Sequence, residues 1–285
     1  MSVLIKRNLK IFFRDKSAVF FSLLAIFIII ALYAVFLGDV WLNDSIKDLK
    51  NADVLMNTWL VAGLLAVASV TTTMGAFGVM IEDKVRNIDK DFYSSPMKRN
   101  RITAGYIGSA FIIGVIMSLV TVFVSEIYIL LNGGALLTPA ALVKVFVLVL
   151  LTTMTNTSII GFIVSFFKSS NAFSTASTII GTLIGFLTGI YLPIGALPES
   201  VQTVIKLFPV SHAAALFRQV LMEDSMQTAF AEIPASYLND FKEYMGVTFR
   251  FGSYEVKPWL SILILVLTAA VFYSLAILNM SKRHQ

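Results

Sequence analysis

The sequence predicts an all-α, polytopic membrane protein. It has six transmembrane helices, an N-terminal interfacial amphipathic helix and a re-entrant helix pair before the last span. Three observations predict this. The 285-residue chain is 57% hydrophobic and 14% charged, with a mean hydropathy of +0.83, whereas soluble domains carry about 25% charged residues. Uncharged runs at 54–81 and 102–125 are long enough to cross a bilayer, because a hydrocarbon core of about 30 Å takes about 20 helical residues. Basic residues gather beside these runs, where they set orientation. The net charge of +5 is therefore a membrane signal here and not a nucleic-acid one.

Residues 1–17 are the first element. Ile5, Leu9, Phe12 and Phe13 fall near one helical face, and Arg7, Lys10 and Arg14 on the opposite face. That is the pattern of a basic helix lying in the interface plane, cations toward the headgroups; the alternative is a set of charges flanking the first span. The spans are expected at about 18–37, 54–81, 102–131, 141–167, 172–192 and 259–280. The first run exceeds a signal-peptide core of about 7–15 residues and is expected to stay in the membrane. With the N-terminus inside, 14 of the 22 lysines and arginines fall on one side. Both termini are therefore expected in the cytoplasm, in the plasma (inner) membrane.

Between the second and third spans lies "EDKVRNIDKDFYSSPMKRNR", 82–101, with ten charged residues in twenty. Val85, Ile88 and Phe92 recur at helical spacing, and Ser95-Pro96 reads as a helix start. The expectation is a helix extending the second span, a turn, and a new helix entering the third, with an apolar ridge offered to a partner. Residues 193–222 are too apolar for a free loop and too interrupted for a span. Pro198 and Pro209 each suit the first turn of a short helix. This segment reads as two re-entrant helices at the outer face, tolerated there only if protein or water covers their backbone. Residues 223–257 are acidic on balance and read as an external loop.

Several residues stand out as candidates. Ser177, Gly181, Gly185 and Gly189 recur every four residues, a spacing that lets another helix approach closely. It reads as a packing or dimer face, or as a helix merely rich in small residues. Thr72 and Thr73 in the second span and Asn156 in the fourth are polar residues in apolar surroundings. Hydroxyls bond back to their own helix at little cost, whereas an asparagine needs a partner on another helix. Each is a structural residue or a contact on a translocation path. Glu126 is an acid inside a span, a functional hypothesis by default, though near the outer end it also reads as a satisfied structural group. His212 reads as a base or as a structural histidine.

The chain has no cysteine, which excludes disulfides and thiol ligands or nucleophiles. H-E-x-x-H, G-x-S-x-G, paired intramembrane carboxylates and the G-x-x-x-x-G-K-[ST] phosphate loop are all missing. No catalytic residue, metal site or cofactor is expected, and the chain is not expected to be an enzyme.

At this point the order of features resembles the ABC-2 type permeases, the membrane subunits of type-2 ABC exporters. "LIKRNLKIFFRDKSAVFFSLL" resembles their interfacial start. "EDKVRNIDKDFYSSPMKRNRITAGYI" resembles their loop between the second and third spans: Glu82, Asp83, Phe92, Tyr93, Pro96, Arg99 and Arg101 fit. Asn87 stands where glycine is usual, and asparagine is the next best residue for a left-handed turn. "LPIGALPESVQTVIKLFPVSHAAALFRQVL" resembles the segment before their last span. The resemblance implies an ABC-2 type transmembrane domain over 18–285. It also implies a second permease chain in a homodimer and two copies of a separate cytoplasmic ATPase that binds ATP and magnesium. The coupling element would be 84–99, with Val85, Arg86, Ile88 and Phe92 before the turn into Tyr93, Pro96 and Arg99. The second and fifth spans would line the path for an amphiphilic drug, antibiotic, peptide or lipid-like substrate. Thr72, Thr73, Asn156 and Glu126 are the candidate path residues. Two alternatives stand beside this reading: a proton-coupled secondary transporter using Glu126, and a membrane sensor or immunity protein.

Overall fold

The computed structural model describes residues 1–33 and 49–282. The end of the expected first span, 34–37, lies outside them, as does the basic tail at Arg283. In chain order the helices are α1 (Ser2–Arg14), α2 (Lys16–Leu32), α3 (Ala52–Val85), α4 (Ile88–Ser94), α5 (Arg99–Leu131) and α6 (Pro139–Val164). They continue as α7 (Ser170–Leu187), α8 (Glu199–Leu207), α9 (Pro209–Leu221), α10 (Glu223–Ala229), α11 (Ala235–Tyr244) and α12 (Pro258–Lys282). Before α12 a two-residue antiparallel hairpin pairs Arg250 with Glu255 and Phe251 with Tyr254.

Among the described residues four helices are long and apolar enough to cross a membrane: α3, α5, α6 and Pro258–Met280 of α12. Two bent pairs bring the number to as many as six, α1 with α2 at 77° and α8 with α9 at 89°. The protein is thus a multi-pass, nearly all-α membrane protein. The expected fifth span corresponds to α7. Its 18 residues include Asn171, three threonines and three serines, which dilute its hydropathy, and it is not among the four.

α3 is the axis of the bundle. Of its most apolar 18-residue window 83% is buried, against 22% for α12. It touches α2, α5, α6, α7 and α9, so its side chains meet protein on all sides while α12 keeps a broad apolar surface for lipid. Trp59, Leu55 and Leu64 are fully enclosed. One glycine sets how closely these helices approach. A Cβ on Gly114 of α5 would lie 2.7 Å from the Thr153 methyl of α6 and 2.9 Å from the Thr73 hydroxyl of α3. Both neighbours are β-branched and stiff at χ1, so neither swings away easily.

Local chemistry places the breaks. Asp15 ends α1 in an extended conformation, and its carboxylate accepts the Ala18 amide at 3.0 Å to start α2, as an N-cap does. Phe208 is extended ahead of Pro209, which takes the first turn of α9. Thr138 and Ser169 cap α6 and α7.

The buried face of α1 differs from expectation. It comprises Leu4, Asn8 and Phe12, an i, i+4, i+8 row, while Phe13 is exposed. The stripe is rotated by about one residue because its centre is a polar residue, Asn8, that apolar periodicity passes over. The helix rests on α5, where Leu4 meets Gly105.

Candidate functional site

α1, α4, Lys168 and the junction between α3 and α5 share one end of the bundle, called here the basic end. Asp83, in the last turn of α3, is 3% exposed at its side chain. Arg7 of α1 meets it with both outer nitrogens, Nη1 donating to Oδ2 at 2.6 Å and Nη2 to Oδ1 at 2.7 Å. The Tyr106 hydroxyl of α5 donates to Oδ2 at 2.7 Å. A buried carboxylate with three donors, two of them a bidentate guanidinium, is well compensated. The Asp83 hydrogen bond raises the Arg7 pKa against the opposing cost of burial. Arg7 also donates to the Asn8 amide oxygen at 2.9 Å, and the Asn8 Nδ2 donates to Ser109 of α5 at 3.1 Å. The guanidinium lies 5.2 Å from the centre of the Phe92 ring. One cluster thus ties α1, α3, α4 and α5 together.

The segment beyond Asp83 runs in four steps. α3 ends at Val85, and Asn87 turns the chain with φ 59° and ψ 17°, the left-handed conformation that asparagine tolerates better than most residues. α4 follows, then a bend through Ser95 and Pro96, and α5 starts at Arg99. Ser95-Pro96 is therefore not a helix start. The Ser95 hydroxyl bonds back to the Phe92 carbonyl at 2.6 Å, closing α4, and proline commonly follows a helix end. The expected apolar ridge is also interrupted. The turn at Asn87 leaves Val85 on α3 and Ile88 and Phe92 on α4, so the three do not share one helical stripe. Val85 and Pro96 are exposed, Ile88 and Arg99 half-buried, and Phe92 lies under Arg7. Arg86 pairs with Glu82 at 2.6 Å on the surface. The Tyr93 side chain lies outside the described residues.

The candidate path residues lie elsewhere. Thr72 and Thr73 are fully buried, and each bonds back along α3, at 2.7 Å to Ala68 and 2.6 Å to Ser69. Asn156 has its inter-helix partner, donating to Ser69 Oγ at 2.7 Å. Glu126 accepts the Leu137 amide at 3.1 Å, fastening the turn between α5 and α6. Within this chain Thr72 and Thr73 are satisfied inside α3, Asn156 joins α6 to α3 in the interior, and Glu126 is half-buried near the far end.

The four-residue row on α7 is also revised. α7 ends at Leu187, so Gly189 is beyond the helix. Its φ is +67°, and the amides of Gly189 and Ile190 bond the carbonyls of Phe186 and Gly185, a Schellman end. Gly185 is covered by the Tyr191 ring, whereas Gly181 meets nothing within 4 Å. Ser177 and Gly181 remain as a half-buried small-residue pair, while exposed Ile179 and Leu183 lie on the opposite face of α7.

The end of the bundle opposite the basic end holds a second polar cluster. His212 Nε2 faces the Lys206 carbonyl at 2.9 Å and Nδ1 faces Ser261 of α12 at 3.0 Å. A carbonyl only accepts, so Nε2 carries the proton and Nδ1 accepts from the serine. His212 is a link between α8, α9 and α12. Arg218 is fully buried over the Trp59 ring at 4.9 Å. It donates to Thr188 O at 2.8 Å and to Gly189 O and Gly246 O at 3.3 Å. Trp59 Nε1 donates to Met245 O at 2.9 Å. Arg7, Asn8, Tyr106 and Arg218 escaped reading from sequence as site residues. The available signals were a polar residue on the apolar row of α1 and a single arginine inside the apolar run of α9.

A family model described as ABC-2 family transporter protein matches residues 42–278. The match includes Asp83 and Tyr106 but begins after α1 and its Arg7. No curated protein matches the chain.

Proposed function

The chain belongs to the ABC-2 transporter family and is the permease of an ABC transporter; from that premise we propose that it forms the membrane path of an exporter for an amphiphilic substrate. A separate cytoplasmic ATPase, in two copies, drives a homodimer of this chain, with the basic end and both termini in the cytoplasm of the plasma membrane. The proposal counts six crossings: α2, α3, α5, α6, α7 and α12. In it α1 lies in the interface, and α8 with α9 is re-entrant at the outer face. Their 89° bend and the protein cover supplied by Arg218 and His212 favour that reading.

The observation that carries the coupling role is the Arg7–Asp83–Tyr106 cluster. Residues 84–99 leave the bundle between Asp83 and the start of α5, and the cluster binds both flanks of that segment to α1. Force from an ATPase against Val85, Arg86, Pro96 and Arg99 then moves α1, α3 and α5 as one body, because a buried bidentate pair yields less than a solvated one. Ser177 and Gly181 of α7 are the proposed face toward the second permease.

The test is reconstitution with a separate ABC ATPase that co-purifies with the chain, followed by vesicle flux and ATP hydrolysis. Pro96→Ala and Arg99→Glu are expected to insert normally and to lose most export while hydrolysis continues. Normal export by both variants would count decisively against 84–99 as the coupling element.

A further inference from the structure

A cleft of about 280 Å³ opens at the basic end, where α3, α6 and α12 finish and α5 begins. Its polar wall carries Lys84, Lys90 and Lys168 against a single carboxylate, Asp89. Lys90 and Lys168 make no ion pair among the described residues. Thr103 and Asn87 add neutral donors, and Met80, Phe167 and Met280 form an apolar wall on the bundle side. The cleft at the opposite end is different: there Lys144 and Lys242 are balanced by Glu223 and Glu255. The excess of ammonium groups is therefore specific to the basic end.

The two walls ask for an occupant with an anionic head and an apolar continuation. The volume lies at the lower end of the roughly 300–1,000 Å³ of pockets that enclose a drug-sized ligand, a size that suits a headgroup whose chains continue outside the cleft. Basic pockets between helices on the cytoplasmic side suit anionic lipid heads, and each nearby lysine strengthens binding about fivefold. We propose that this cleft binds the phosphate of an anionic phospholipid from the inner leaflet, next to the segment that meets the ATPase. The assignment to the inner leaflet rests on the orientation given under the proposed function. The shared chemistry with a free phosphate is a phosphate oxygen cluster facing ammonium groups; the apolar wall favours the lipid.

The experiment uses the full chain alone, without the ATPase, in phosphatidylcholine nanodiscs with and without phosphatidylglycerol, and native mass spectrometry counts retained lipid. The wild type is expected to retain phosphatidylglycerol over phosphatidylcholine. Lys90→Gln with Lys168→Gln is expected to weaken that retention about 25-fold, about fivefold per lysine, and Lys144→Gln in the opposite cleft to leave it unchanged. Equal retention by wild type and the double variant overturns the site. An equal loss in Lys144→Gln also overturns it, because the effect is then one of net charge. Binding of inorganic phosphate in phosphatidylcholine discs, lost in the double variant and without any phosphatidylglycerol preference, supports the anion site and overturns the lipid as its occupant. Because binding is read without transport, failure here leaves the exporter reading standing, and failure of export leaves the cleft standing.

Discussion

Two arginines are drawn into this protein at opposite ends and are held in opposite ways. Arg7 is about one-third exposed and faces a buried carboxylate, Asp83, with bonds of 2.6 and 2.7 Å. Arg218 is fully buried and has no carboxylate partner among the described residues. Three backbone carbonyls and the Trp59 face hold it, and its Nε has no hydrogen-bond partner among the described residues. The first site depends on charge and is open to repair by another charge. The second depends on shape: a planar fork that reaches the α7 end and the Gly246 turn at once while stacking on an indole. Lysine carries the charge but not that geometry.

The contrast can be broken most directly at Arg218. Arg218→Met leaves the carbonyls of Thr188, Gly189 and Gly246 without their donor, and unsatisfied buried groups cost about 1–3 kcal/mol each. A loss of about 4 kcal/mol in detergent unfolding is expected, with little recovery in Arg218→Lys. Near-wild-type stability in either variant would remove the distinction.

At the basic end Asp83→Leu or Arg7→Met alone is expected to cost about 3 kcal/mol, and the double variant much less than the sum, since an apolar pair often replaces a buried ion pair without loss. Additive losses in a double-mutant cycle would show that the two residues act separately. The smallest expected effect concerns salt. Going from about 0.1 M to 1 M salt shortens the screening length from about 10 Å to about 3 Å. Unfolding is expected to become easier by about 0.5 kcal/mol in the wild type, the scale of a partly exposed pair. Arg7→Met should lose that salt dependence and Arg218→Lys should keep it.

What the sequence disclosed divides along the same line. The four long helices were legible because uncharged runs such as 54–81 leave no other state for the chain in lipid. The breaks at Asp15 and Pro209 carry their own chemistry. The partnership of Arg7 with Asp83 was not legible, since 76 positions separate them and each sits among other charges that look solvated. Asn8 was hidden by a search for apolar periodicity. Gly189 continued a four-residue interval by coincidence: the interval describes a helix, while the residue ends one. Asn87 did announce its left-handed turn, and taking that turn seriously would have split Val85 from Ile88 and Phe92. Arg218 had a visible signal, a lone cation in "PVSHAAALFRQVL", but its acceptors are backbone carbonyls, which no residue name reveals.

The docking of α1 has a consequence for the order of synthesis. Its partners, Asp83, Tyr106 and Ser109, emerge from the ribosome some 75 to 100 residues after Arg7 and Asn8. Until the third long stretch has entered the bilayer, the cluster that holds the first helix cannot close, so that helix is fixed only after helices made later than itself. A nascent chain stalled before Tyr106 would carry α1 unlatched, so its protection from protease would mark the moment at which the basic end closes.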